Sequence, residues 1–182
     1  MNSLSSRLLI SVSVLLLFFF GATIVVLDRA FTEAGEQARQ DLLDGHIIAL
    51  LAAAEPDDYG KLVLPERLRE PRFQRIDSGL YAELRHFDGT LVWRSRSALG
   101  LDIPEGVRPE LGSQVFTREF LADGTPLLTL SLAVDWELED GASQPYVFKV
   151  AESLDGFNAQ IAEFRGQLFS WFAAVALTMV LA

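Results

Sequence analysis

Residues 79–96 read GLYAELRHFDGTLVWRSR. Apolar and polar side chains alternate on both sides of Asp88-Gly89. That is the period of a half-buried strand, broken by a turn dipeptide. Asp-Gly suits a two-residue type I′ hairpin loop. With that loop Leu84 faces Trp93 and His86 faces Leu91 on one surface, while Glu83 faces Arg94 on the other. An apolar pair and an opposite-charge pair both come out matched, which supports the register.

The pattern repeats downstream. QVFTREFLADGTPLLTLSLAVDWELE, residues 114–139, predicts a second hairpin around Asp123-Gly124, with Pro126 at a tolerated strand start. In its long second strand Leu130, Leu132, Val134, Trp136 and Leu138 alternate with Ser131, Ala133, Asp135, Glu137 and Glu139, predicting one buried and one wet face. DGASQ then turns the chain into PYVFKVAE, a third strand pair. From Ser153 or Asp155, either a fair N-cap, Leu154, Phe157, Ile161, Phe164 and Leu168 form one helical stripe.

Upstream, Phe31, Ala34, Ala38 and Leu42 keep helical spacing, with Leu50 and Leu51 further on. The predicted end is near Ala54, before EPDDYG. LPERLREPRF, residues 64–73, reads as a short helix or irregular connection, with Pro65 at a helix start and Pro71 ending it. Helices flanking a run of strands predict an α+β fold with an antiparallel sheet of about five strands.

Both outer helices run into apolar segments. Leu8–Leu27 carries no charge over about 20 residues, the length that crosses a bilayer as a helix. A signal peptide is the rival, but its apolar core is about 7–15 residues and ends at a small-residue cleavage site. The second run, residues 168–182, is about five residues short of a crossing. A truncated second span is expected, against a tail lying in the interface or packed in a core; Trp171 suits a membrane interface.

The expected plan is therefore residues 1–7 cytoplasmic, 8–27 spanning, 28–167 a domain, and 168–182 a truncated span. A domain of about 140 residues between two spans is most simply extracytoplasmic, because long domains translocate largely regardless of charge. It holds all 25 Asp and Glu and all Lys and Arg but Arg7, 14 in all, for a formal charge of −11. That excludes the basic face of a nucleic-acid binder and leaves cationic partners: metal ions, basic peptides or polyamines. The absence of Cys excludes disulfides and Cys-based zinc sites.

SSRLLISVSVLLLFFF at the start, ALLAAAE in the first helix, FDGTLVWRS, LLTLSLAVDWELEDG with PYVFKVAESL, and FRGQLFSWF entering the second run together resemble the N-terminal sensor half of bacterial two-component sensor histidine kinases, most closely the PhoQ type. The resemblance covers essentially the whole chain. It implies a PAS-like (PDC) periplasmic sheet packed on the helix from the first span, a homodimer in the inner membrane, and a signal relayed through the second membrane helix. It also implies a cytoplasmic kinase that uses ATP and Mg²⁺ and phosphorylates a response regulator. Neither His46 nor His86 lies in a phospho-acceptor motif, and there is no Gly-rich phosphate loop, so no catalytic residue is expected in these 182 residues. The acidic run of PhoQ-type sensors has no counterpart: no acidic run exceeds the pairs Asp57-Asp58 and Glu139-Asp140. A chemoreceptor, a cyclase sensor or a small membrane-anchored interaction protein could use the same two-span frame.

The best candidate ligand site is Asp135, Glu137, Glu139 and Asp140. Alternate carboxylates on a strand share a face at roughly 7 Å spacing, and a divalent cation on Asp135, Glu137 and Glu139, or a basic peptide, would relieve their repulsion. The plain alternative is a solvated face with Lys149 as cross-strand neighbour. Asp57 and Asp58 sit where turns favour Asp for backbone reasons. His46 shares a helical face with Leu42 and Leu50, as a packed or dimer-interface residue or a pH-sensitive one.

Overall fold

The computed structural model describes residues 4–57, 61–137, 141 and 143–181. The chain divides into two compact units, residues 38–155 and the paired segments 1–37 and 156–182. Helix α1, Leu4–Ala53, runs without interruption from the apolar start to the predicted end. Two short strands follow, β1 (Glu55–Pro56) and β2 (Leu62–Val63), paired antiparallel; this small ladder was not foreseen.

The domain unit is built on a five-stranded antiparallel sheet, as the alternation predicts. Its strands are β3 (Leu80–His86), β4 (Leu91–Arg94), β5 (Gln114–Phe120), β6 (Pro126–Glu137) and β7 (Ser143–Ser153), in the order β4-β3-β7-β6-β5. The last strand therefore lies at the centre, hydrogen-bonded to β3 and β6 along its length.

Leu84↔Trp93 and Glu83↔Arg94 pair as predicted, but His86 does not face Leu91. Arg85 pairs with Leu91 across a bulge. The turn explains the shift. Among the described non-glycine residues only Asp77 has positive φ, so Asp88 cannot make a type I′ turn. Instead the Gly89 N–H donates to His86 O at 2.9 Å, the His86 N–H donates to Thr90 O at 2.8 Å, and Gly89 takes φ +97°. That is a three-residue loop, a type I turn closed by a glycine bulge. The second hairpin repeats it: Gly124 N–H to Leu121 O at 2.9 Å and Leu121 N–H to Thr125 O at 3.0 Å. In both, the Asp side chain accepts from the Thr N–H two residues on, at 2.8 Å in Asp88 and 2.9 Å in Asp123.

One sheet face carries Leu80, Leu84, Leu130, Phe148 and Val150, all fully buried. Residues 38–53 of α1 cover it. Leu43, Ile47 and Leu50 are 0–1 % exposed, each worth about 1.5–3 kcal/mol of burial. Two polar contacts fix the helix across the sheet: Arg39 to Glu152 at 3.2 Å and Gln114 Nε2 to Asp44 Oδ1 at 3.2 Å. A short 3₁₀ turn, Pro71–Gln74, adds the buried Phe73. Pro71 opens this turn rather than ending a helix, with Glu70 capping the Arg72 N–H at 3.0 Å; proline's missing N–H costs nothing in a first turn.

The opposite face is not wet. The segment between β4 and β5 folds back over it, and Ala98 and Ile103 pack with Tyr81, Leu121, Leu127 and Ala151. Ser131 and Ala133 are consequently buried where the alternation of β6 predicts exposure, and Thr129 on the same face is buried with them. Only the far end of β6 follows the prediction, with Asp135 and Glu137 exposed.

The other unit pairs residues up to 37 of α1 with α2, Asp155–Leu181. Partners run in opposite directions along the two helices: Asp28 meets Arg165, Phe31 stacks on Phe164 with centroids 4.3 Å apart, and Gly35 meets Phe157. A Cβ at Gly35 would lie 2.5 Å from the Phe157 ring. The predicted stripe is visible, with Phe157 and Ile161 buried. Among the described residues one helix, Ser11–Ala53, is long and apolar enough to cross a membrane. α2 carries the second apolar run with Trp171 exposed, and a second complete span is not shown.

Candidate functional site

Charges that read as surface residues in sequence are drawn together on the face beneath the β4–β5 segment. Glu83 on β3 lies directly across from Lys149 on β7, and they are 1 % and 2 % exposed. Glu83 accepts from Arg94 Nη2 at 2.8 Å through one oxygen and from Arg85 Nε and Nη2 at 2.9 and 2.8 Å through the other. Lys149 Nζ donates to Glu119 Oε2 at 2.9 Å and to Glu105 O at 2.9 Å, and also meets Pro104 O. Burial pushes the Lys149 ammonium below the usual lysine range, and the Glu119 carboxylate opposes that shift. A buried lysine costs several kcal/mol unless paired and hydrogen-bonded, which Glu119 and the two carbonyls provide.

The pairing corrects the sequence reading of Lys149. It is not the solvated neighbour of the acidic strand face, because Ser131, not Asp135, stands across from it on β6. One signal could have found it: Val147 and Ala151, the residues two away on the same face, are apolar, so the lysine sits within a buried stripe.

Above the cluster, residues 105–108 and the Gly89 turn flank a half-open cavity of about 150 Å³. Arg85, Gly89, Glu105, Arg108, Val147 and Lys149 line it. Arg85 Nη1 donates to Gly89 O at 3.1 Å and reaches Glu105 Oε1 at 3.4 Å. Arg108 lies over the Phe87 ring, 5.4 Å from its centroid.

The other sequence candidates lie elsewhere. Asp135 and Glu137 are exposed on one face of β6, across from Pro145 and Ser143. Glu139, Asp140 and Asp58 lie outside the described residues. Among the described residues no group of three His, Asp or Glu could hold a metal ion. Asp57 serves its turn: its side chain accepts from the Lys61 N–H at 2.8 Å. His46 meets Phe73 edge-on at 5.6 Å and lines a cavity of about 300 Å³ with Leu50, Leu68 and Arg69. Burial lowers its pKa, Glu70 and Glu152 pull it back up, and Arg72 lowers it further. His86 stacks on Tyr146 at 4.9 Å and shares a 3.3 Å hydrogen bond with Gln144.

These features describe an α+β domain with an ion-paired polar core, in a chain whose first helix is apolar enough to anchor it. The chain is 27 % identical over 179 residues, 98 % of its length, to the two-component sensor PhoQ of Pseudomonas aeruginosa. The resemblance read in the sequence thus stands: this chain is similar to a PhoQ-type two-component sensor. It spans 39 % of that relative's length. No family model matches the chain, and no solved structure matches it.

Proposed function

We propose that these residues are the sensor and membrane portion of a two-component histidine kinase in the bacterial inner membrane. The observation that carries this is the 27 % identity to a two-component sensor along 98 % of the chain. In this account residues 8–27 and 168 onward span the membrane and residues 28–167 form a PAS-like periplasmic domain. The helix-covered five-stranded sheet supports that fold. The domain works as a homodimer and passes a displacement of α2 to a cytoplasmic kinase that uses ATP and Mg²⁺ and phosphorylates a response regulator. β7 is the central strand and ends at Ser153, two residues before α2 begins, so a shift in the sheet has a short covalent path to that helix. An antibody to residues 28–167 tests the frame. A native band of about 45–55 kDa leaves room for two cytoplasmic domains; a band near 20 kDa, the mass of this chain, would contradict it.

The cue we assign to the far end of β6 is cationic, a divalent metal or a basic peptide at Asp135, Glu137, Glu139 and Asp140. The exposure of Asp135 and Glu137 on one face supports it. Asp135→Asn with Glu137→Gln should abolish cation- or peptide-dependent signalling, and a normal response in the double variant would remove this site.

A further inference from the structure

The cavity beneath residues 105–108 is cationic in a domain of strongly acidic composition. Arg85, Arg108 and Lys149 all line it, and Glu105 is the one carboxylate among its lining residues. The deeper carboxylates are committed: Glu83 to Arg85 and Arg94, and Glu119 to Lys149. Arg108 makes no ion pair within 4 Å among the described residues; it rests on the Phe87 ring and acts through space on the Asp88 carboxylate. Asp88, the nearby acid, has its carboxylate turned to the Thr90 N–H.

Glu105 holds Arg85 loosely, at 3.4 Å from a side chain that is 59 % exposed. A charge-assisted pair of good geometry is about 2.7–2.9 Å. Gly89 is the neighbour shared by all three groups. Its carbonyl accepts from Arg85, and a Cβ there would lie 2.9 Å from Glu105 Oε1 and 3.4 Å from Arg108 Nη2. Gly106 is equally constrained, since a Cβ would overlap the Glu119 carboxylate. Two glycines with positive φ thus keep backbone close to the charged groups and leave the space open.

We propose that this cavity binds a small oxyanion, a short carboxylate or inorganic phosphate, between Arg85 and Arg108. The ligand takes the place of the Glu105 carboxylate on Arg85 and gains Arg108, which no carboxylate among the described residues contacts directly. A volume of about 150 Å³ suits a ligand, or the end of one, of a few heavy atoms. Displacing Glu105 disturbs the segment whose Pro104 and Glu105 carbonyls hold Lys149 on the central strand. As a cue, this ligand rests on the sensor reading above. Its binding does not, so failure to bind and failure of that reading are separate results.

The test is calorimetry on the full 182-residue chain in a non-ionic detergent, titrated separately with acetate, succinate and inorganic phosphate. At least one should bind saturably; the carboxylates and phosphate distinguish the two sources of the oxyanion. Arg108→Gln should weaken that ligand by about tenfold or more, the loss of one charge-assisted contact. Arg67→Gln removes the same charge from an exposed site elsewhere and should leave binding unchanged. Glu105→Gln, which removes the competing carboxylate, should tighten it. No saturable binding by any of the three anions would overturn the proposal. So would equal weakening by Arg108→Gln and Arg67→Gln, which marks general charge attraction.

Discussion

Asp28 and Arg165, 137 positions apart, form a two-contact ion pair, with Nε to Oδ1 at 2.7 Å and Nη2 to Oδ2 at 3.0 Å. Asp28 is the first residue after the apolar run of α1, and Arg165 comes three before the apolar run of α2. Phe31 on Phe164 and Gly35 against Phe157 continue the contact along the two helices. In the proposed relay, a pair at this place would couple the helices where the displacement passes. Its exposure means it contributes little to stability. Asp28→Arg or Arg165→Asp alone should therefore change the signalling baseline of the native protein while leaving its unfolding midpoint almost unmoved. The double exchange should restore the baseline. A reporter driven by the cognate response regulator reads this, and a double exchange that behaves like the singles would contradict it.

Lys149 and Glu119 should show the asymmetry of a buried pair. Lys149→Met leaves the Glu119 carboxylate without its ammonium partner and should cost about 3–5 kcal/mol in urea unfolding. Glu119→Leu alone should cost a similar amount. The combination should recover much of the loss, because two apolar residues need no mutual partner. Recovery will be incomplete, since Pro104 O and Glu105 O also lose their donor. Strictly additive losses would show that the pair does not interact.

His46 sets a pH dependence whose sign follows from its burial. Its folded pKa is lowered from the ordinary 6.5, so the unfolded chain binds a proton more readily than the native one. Stability should be unaffected by this group above 6.5 and should fall as the pH drops below it. His46→Gln should flatten that slope in unfolding measured between about pH 7 and pH 5. An unchanged slope would place the acid sensitivity elsewhere.

Gly106→Ala should destabilise by about 2 kcal/mol or more. It imposes a strained backbone at φ +68° and drives a methyl into the Glu119 carboxylate. Gly141→Ala also imposes a positive φ, +79°, but has no neighbour among the described residues within 4 Å of the new Cβ. The difference in unfolding free energy between these two variants isolates the close approach from the backbone strain.

Much of this architecture was legible because local chemistry and tertiary packing agree. Alternation located β3 to β7, helical spacing located α1 and the stripe of α2, and Glu83 found Arg94 from sequence alone. What failed were questions about which surfaces are covered. The buried side of β6 at Thr129 and Ser131 depends on a segment between β4 and β5 that has no periodicity of its own. Lys149 was misplaced for the same reason, because its partner Glu119 lies on the edge strand β5, two strands away in the sheet. The hairpin turn differs from the sequence expectation by one residue, since Asp-Gly serves both the type I′ turn and the bulged type I turn. Of the candidate ligand residues, Asp135 and Glu137 are placed together on an exposed face. The cavity near Arg85 and Arg108 could not have been found, because it forms only when the 105–108 segment folds over the sheet.

The most direct test of the central claim is to label the native protein with radioactive ATP in its own membranes and capture it with an antibody to residues 28–167. The account predicts a phosphorylated species whose label is lost in acid and survives base, as a phosphohistidine does. Absence of label on the captured protein, while other histidine kinases in the same membranes are labelled, would contradict it.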